Sequence, residues 1–157
     1  MDSYAGKLLI VDLTRSTCHD EPLNEKYAAQ YLGGAGLASR YLYDDIDANT
    51  DPLGEANPLI FMRGLLHATA SPSSGRFVVV ARSPQTGIYG EANGGNFFGP
   101  DLKTAGYDGI IVRGKSPTPV YLYIHDAKIE LRDATHLRGK TTFETGDAIR
   151  TELNDPK

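Results

Sequence analysis

The 157-residue sequence predicts an α+β fold, a β-rich domain of mixed or antiparallel sheets with a few helices. Three observations carry that prediction. Short apolar runs bounded by Gly, Pro, Asn and Asp outnumber the helix-period segments. The two kinds of segment do not alternate regularly, as a doubly wound parallel sheet would require. No repeat, low-complexity tract or linker divides the chain, so residues 1–157 read as one domain.

The elements follow in order. "KLLIVDL" (Lys7–Leu13) is an apolar run of buried-strand length. "NEKYAAQYL" starts at a helix N-cap, Asn24, and sets Tyr27, Ala28, Tyr31 and Leu32 on one face. "GGAG" (Gly33–Gly36) then ends that helix in a corner, and "LASRYLYDDI" resumes as a second one, with Leu37, Tyr41, Leu42 and Ile46 facing the core. Asp47–Pro58 is rich in Asp, Asn, Pro and Gly and reads as a surface loop. "LIFM" is a strand, "HATASPSSG" a small-residue loop, and "RFVVVAR", with three consecutive valines, the strongest strand of the chain. "SPQTG" is a turn and "IYGEA" a short strand, followed by the glycine-dense loop "GEANGGNFFG", after which Phe98, Leu102 and Ala105 share a helical face. "GIIVRG", "VYLYIHD" and "KIELRD" are three successive strands, the last two joined by a tight turn at Asp126–Ala127. Thr141 and Glu144 have capping-box spacing ahead of a final helix, "FETGDAIRTEL".

Composition excludes several classes. Sixteen basic and twenty acidic residues give a net charge of −4 without any Lys/Arg run, which argues against a nucleic-acid groove. The single cysteine, Cys18, excludes a disulfide framework or a Cys-built cluster within this sequence. The apolar core of the N-terminal stretch is too short for a secretion signal, and no run reaches the roughly 18 residues of a membrane span, so a cytoplasmic protein is expected. The four histidines (His19, His67, His125 and His136) are scattered without metal-ligand spacing. "GGAGLAS" carries the glycines of a dinucleotide loop, but it follows a helix rather than a strand. No G-x-S-x-G elbow or P-loop is present.

Two loops remain. Arg76 stands where "HATASPSSGR" becomes a rigid strand, a place for a fixed guanidinium fork to grip an anion. Gly94 and Gly95, ahead of a helix, leave main-chain N–H groups approachable. These residues point to an anionic cofactor held between two loops. The competing reading is tight turns in a β-rich core.

The order of motifs resembles the N-terminal domain of the aldehyde ferredoxin oxidoreductases. The residues that carry it are "GRFVVVARSPQTG", "EANGGNFFGPDLK", "AGYDGIIVRGK" and "DATHLRGK", with "GKLLIVDLT", "YLGGAGLASRYLYDDID" and "DPLGEANPLIF" before them. The match is collinear from about Gly6 to Leu153. It implies a β-rich base for a tungsten (or molybdenum) bis-pyranopterin, beside a [4Fe-4S] cluster ligated outside this chain that passes electrons to ferredoxin or a similar acceptor. It also implies that Arg76 bridges pterin and cluster environment. The Asn93 backbone carbonyl would help hold the Mg²⁺ between the pterin phosphates, with Gly94 and Gly95 against the cofactor.

Three departures from the family pattern stand out. "RGLLHATA" lacks the proline and Thr-Gly of G-P-L-T-G, Ser74 replaces a glycine before Arg76, and Asn96 takes the second glycine's place after Asn93. Asparagine tolerates left-handed backbone, so the chain path is expected to survive there. The resemblance implies oxidation of an aldehyde to a carboxylic acid, or the reverse, and these departures leave room for a substrate other than a simple aldehyde. No catalytic residue is assigned within this chain.

The resemblance further implies that residues 1–157 are an incomplete cofactor-base domain. The cluster cysteines would come from remaining domains or a partner subunit, and the uncovered apolar face would drive oligomerisation. Two other readings stay open: a non-catalytic scaffold in a redox complex, and a β-rich domain for a nucleotide-like ligand.

Overall fold

The structure is a computed structural model that describes residues 3–126 and 128–154. Six strands form one mixed sheet: β1 (Lys7–Asp12), β2 (Thr17–Pro22), β3 (Leu59–Arg63), β4 (Phe77–Arg82), β5 (Tyr89–Gly94) and β6 (Gly109–Arg113), in the order β2-β1-β6-β3-β4-β5. Only β1 and β6 run parallel; every other neighbouring pair is antiparallel. Strands β7 (Val120–His125) and β8 (Lys128–Asp133) make a separate hairpin. The helices are α1 (Glu25–Tyr31), α2 (Gly34–Asp45), α3 (Phe98–Thr104) and α4 (Thr142–Leu153). The predicted α+β class, β-rich with mixed sheets, is the one observed.

The main sheet is covered on both faces, and the sequence of β1 shows why. Leu8, Leu9, Ile10 and Val11 are all at most 2% exposed, so successive side chains enter opposite cores. On one face Leu8, Ile10, Ile60, Met62, Val78, Val80 and Ile111 pack against Leu37, Ala38, Tyr41 and Leu42 of α2 and Ala28 of α1. On the other, Leu9, Val11 and Ile110 meet Leu102 of α3 and the inner side chains of the β7–β8 hairpin, Leu122, Ile124, Ile129 and Leu131. Each buried leucine or isoleucine contributes about 1.5–3 kcal/mol. This three-layer arrangement fixes the β3–β4–β5 end of the sheet against α3.

Local signals mostly behave as read. Asn24 caps α1 by accepting from the Lys26 and Tyr27 amides, and Thr141 with Glu144 closes a capping box on α4. His125 pairs with Lys128 across a two-residue turn, with Asp126 at φ 52°; Ala127 lies outside the described residues.

Four readings are corrected. "GGAG" does not separate the helices: α2 begins at Gly34, and the corner is made by positive φ at Leu32 (62°) and Gly34 (54°). That corner swings Leu32 to 61% exposure, and Tyr31 is exposed too, so only Ala28 and Tyr27 of the predicted α1 face pack inward. Strand β2 has no apolar signature; "TCHDEP" is an exposed edge strand held by its backbone ladder to β1, with charges and a terminal proline that suit an edge. The glycine-dense segment is a loop over only three residues, because β5 extends through Ala92, Asn93 and Gly94, paired with Val79, Val78 and Phe77.

One buried ion pair joins the layers. Arg63, at the end of β3, and Asp108, just before β6, have side chains 2% and 3% exposed. Asp108 also accepts from the amides of Ala5 (3.0 Å) and Gly6 (2.7 Å). Arg63 donates to the carbonyls of Ser3, Gly64 and Tyr107 at 3.0–3.1 Å. Burial pulls the Arg63 guanidinium below its usual value, and the Asp108 carboxylate pulls it back up. Asp108→Ala leaves a buried unpaired cation and two orphaned amides. It is expected to cost about 3–5 kcal/mol in denaturant unfolding followed by circular dichroism.

Candidate functional site

Strand β4 starts one residue after Arg76, and β5 ends at Gly94. In their ladder Phe77 faces Gly94 and Val78 faces Asn93. Arg76 and Gly95 therefore flank the last pair, one on each strand, at the outer end of an edge hairpin. All four residues singled out from the sequence, Arg76, Asn93, Gly94 and Gly95, come together there, and this convergence follows from register alone.

Their environments differ in ways that assign different jobs. Arg76 is exposed, and its guanidinium has no hydrogen-bond or ion-pair partner among the described residues. It is held at its base by a rigid strand and free at its tip. The Asn93 side chain is occupied, donating to Glu91 Oε1 at 2.8 Å, so its main chain is what it offers a ligand. Glu91 is itself fixed by Tyr89, whose hydroxyl donates to Oε2 at 2.9 Å.

The two glycines part company. A Cβ on Gly94 would lie 2.5 Å from Cζ of Phe77, so the absent side chain is used by the protein's own aromatic ring. That ring stacks on Phe98 with centroids 4.5 Å apart, tying the hairpin end to α3. A Cβ on Gly95 would meet nothing within 4 Å, and Gly95 is exposed. Gly95 is thus the position where the bare backbone faces open space, a cradle that a side chain would fill. Neither glycine has a positive φ, and close approach accounts for Gly94 alone.

Asn96 does adopt positive φ, 79°, a conformation that asparagine tolerates better than most residues. Its carbonyl packs against Gly75, where a Cβ would sit 3.3 Å away, so the two loops touch backbone to backbone.

The residue that sequence reading missed is His67. It is 1% exposed and lies under the turn between β3 and the Arg76 loop. Neither ring nitrogen makes a hydrogen bond of good geometry among the described residues. Burial pushes its pKa down, opposed by the nearby carbonyls of Arg76 and Gly99 and reinforced by the positive charges of Arg63 and Lys103. Nothing in its spacing signalled this, because Gly99, which admits its ring, lies far along the chain. A cleft of 260 Å³ opens above it, lined by Leu65, Leu66, Ser73, Ser74 and Arg76. A larger cleft of 500 Å³ separates the sheet from the β7–β8 hairpin, but its walls are apolar apart from Asp101, as expected of an inter-layer gap. The smaller cleft is the one that brings His67, Ser73 and Ser74 beside Arg76.

The Asn96 backbone is directly testable. Asn96→Gly is expected to be neutral or slightly stabilising, whereas Asn96→Ala should cost about 1–2 kcal/mol, both read from denaturant midpoints at constant m.

Comparison with known proteins agrees with this geometry. Residues 8–157 match the family model described as "Aldehyde ferredoxin oxidoreductase, N-terminal domain". The tungsten-containing aldehyde ferredoxin oxidoreductase of Pyrococcus abyssi is 44% identical over 155 residues, covering 99% of this chain and 26% of the relative. That of Thermococcus kodakarensis is 45% identical over 152 residues, covering 97% and 25%. A protein of Pyrococcus furiosus named "Aliphatic sulfonate oxidoreductase, WOR-like subunit" is 38% identical over 159 residues, covering 99% and 25%. Among solved structures, a chain of the active site complex BamBC of benzoyl coenzyme A reductase, in complex with 1,5-dienoyl-CoA, superposes with a TM-score of 0.96 at 42% identity, over 99% of this chain and 24% of that one. The chain thus spans about a quarter of the length of the relatives it matches. Motif order, strand register and backbone superposition agree, and the chain belongs to the aldehyde ferredoxin oxidoreductase family as an N-terminal domain of that type.

Proposed function

We propose that this chain is the cofactor base of a tungsten- or molybdenum-dependent oxidoreductase, with Arg76, Asn93, Gly94 and Gly95 at the cofactor. The observation that carries the reading is the pairing of an unpartnered arginine with an open glycine at one strand end, in a family whose relatives include enzymes named as tungsten-containing. When bound, the pterin-held metal supplies the two-electron chemistry, the oxidation of an aldehyde to a carboxylic acid or its reverse.

The residues of this chain have supporting tasks. Arg76 places a permanent positive charge against the anionic groups of the cofactor, with its fork aimed by β4. Gly95 lets the cofactor touch the main chain. Asn93 would offer its carbonyl oxygen to a Mg²⁺ ion bound with the cofactor, its side chain being held by Glu91. Gly94 admits the Phe77 ring and so keeps the strand end anchored to α3. The [4Fe-4S] cluster, its cysteines and the contacts to ferredoxin or a similar acceptor would belong to segments or subunits outside this chain.

Two relatives favour a second substrate reading on the same base. One is named for aliphatic sulfonates and another comes from a benzoyl coenzyme A reductase complex, so an acceptor or donor other than a simple aldehyde fits this domain equally well.

Arg76→Ala in the full-length enzyme or complex tests the proposal. Loss of a charged hydrogen-bonding group should lower tungsten or molybdenum retention, or turnover, by roughly 10–100-fold while subunits still associate. Metal content by mass spectrometry and turnover at wild-type levels would instead support a non-catalytic scaffold.

A further inference from the structure

We propose that His67 is a positioning residue, a buried wedge that sets the spacing between the loop carrying Arg76 and the start of α3 that follows Gly95 and Asn96. The inference rests on reading those two loops as the ones that face the cofactor. The contacts, however, are those of this chain alone.

The ring is enclosed by main chain on several sides. A Cβ on Gly99, in the first turn of α3, would fall 2.1 Å from Cε1 and 2.2 Å from Nδ1 of His67. A Cβ on Gly64 would fall 3.3 Å from Nε2 and 3.4 Å from the Arg76 carbonyl oxygen. Two glycines, 35 residues apart in numbering, are thus bare where the imidazole sits. The backbone of His67 is tied as firmly: its amide donates to Gly64 O at 3.3 Å, and Lys103 Nζ of α3 donates to its carbonyl at 2.8 Å. One residue therefore touches the end of β3, the entry to β4 and both ends of α3. Moving or shrinking its ring releases the Arg76 loop and α3 from each other.

The wedge works as a neutral ring. Arg63 and Lys103 are the charges that act on the ring, both cations, and Arg76 meets it through its carbonyl; Asp101, the acidic residue of α3, lines the separate inter-layer cleft. A protonated imidazole would add another positive charge in a buried place, with only the Arg76 and Gly99 carbonyls to receive its protons. Because the folded state holds the ring's pKa below the unfolded value of about 6.5, its contribution is intact above that pH and fades as pH falls through and below it. Between the two values each pH unit removes roughly tenfold from the closed population.

Hydrogen–deuterium exchange on the full-length protein, corrected for intrinsic rates and run between about pH 7 and pH 5, decides the matter. Wild type should lose protection together in residues 64–76 and 95–104 on acidification. His67→Gln, which keeps a polar planar group but does not titrate, should lose that pH dependence while staying folded. His67→Ala should raise exchange in both segments at every pH. If His67→Ala does not accumulate, the pH profile of His67→Gln alone decides. Exchange confined to the turn at His67, or an unchanged pH profile in His67→Gln, overturns the proposal. Metal retention measured on the same samples separates the two readings. Coupled loop opening with no effect of Arg76→Ala on retention would leave the wedge standing and remove the cofactor assignment.

Discussion

The buried Arg63–Asp108 pair is the constraint on which the rest of this domain depends. Asp108 collects the N-terminal segment through Ala5 and Gly6, and its own amide donates to Lys7 O at 2.8 Å, which starts the only parallel pairing in the sheet, β1 with β6. Arg63 holds Ser3 and Tyr107 and, through Gly64, begins the turn that contains His67. Desolvating two charges is expensive, and such a pair is a poor source of net stability. Its effect here is on arrangement: with five main-chain carbonyls and amides satisfied by one pair, a shifted register of β3 against β6 would part the charges, and a shifted register of β1 would strand the Ala5 and Gly6 amides.

From that point the site is positioned by sheet geometry. The valines of β4 fill both faces, and β4 runs from Phe77 to Arg82, whose guanidinium closes the Asp47–Thr50 loop through three carbonyls at the far end. An arginine therefore stands at each end of the same strand with opposite roles. Arg82 is saturated by the protein and serves the loop it closes. Arg76 has no partner among the described residues, and a cation kept free at the rigid end of a strand is available to an anion.

Much of this was legible in the residues because it is local. The apolar run of β1, the three valines of β4, the Asn24 cap and the Thr141–Glu144 capping box each encode their element within a few positions. The collinear motifs encoded the family. Arg76 and the Asn93–Gly95 stretch could be picked as candidates because a fork at a strand entry and bare backbone are visible in composition. What stayed hidden is non-local. Strand β2 exists only because β1 offers it a ladder. Gly94 and Gly95 look alike in sequence, yet Phe77 fills the space at one and leaves it open at the other. His67 reads as one of four scattered histidines, and its burial depends on Gly64 and Gly99.

The departures from the family pattern acquire meaning from the same geometry. His67 in "RGLLHATA", Ser74 and Asn96 are dispersed over thirty positions of the chain. In three dimensions His67 and Ser74 line one cleft beside Arg76, and Asn96 packs its carbonyl on Gly75, the neighbour of Ser74. The three positions sit where the Arg76 loop meets the Asn96 turn, on a scaffold that superposes on a solved relative with a TM-score of 0.96. The seam between the two loops is thus a backbone-to-backbone contact beside the cleft that His67 and Ser74 line, and it lies next to the free Arg76.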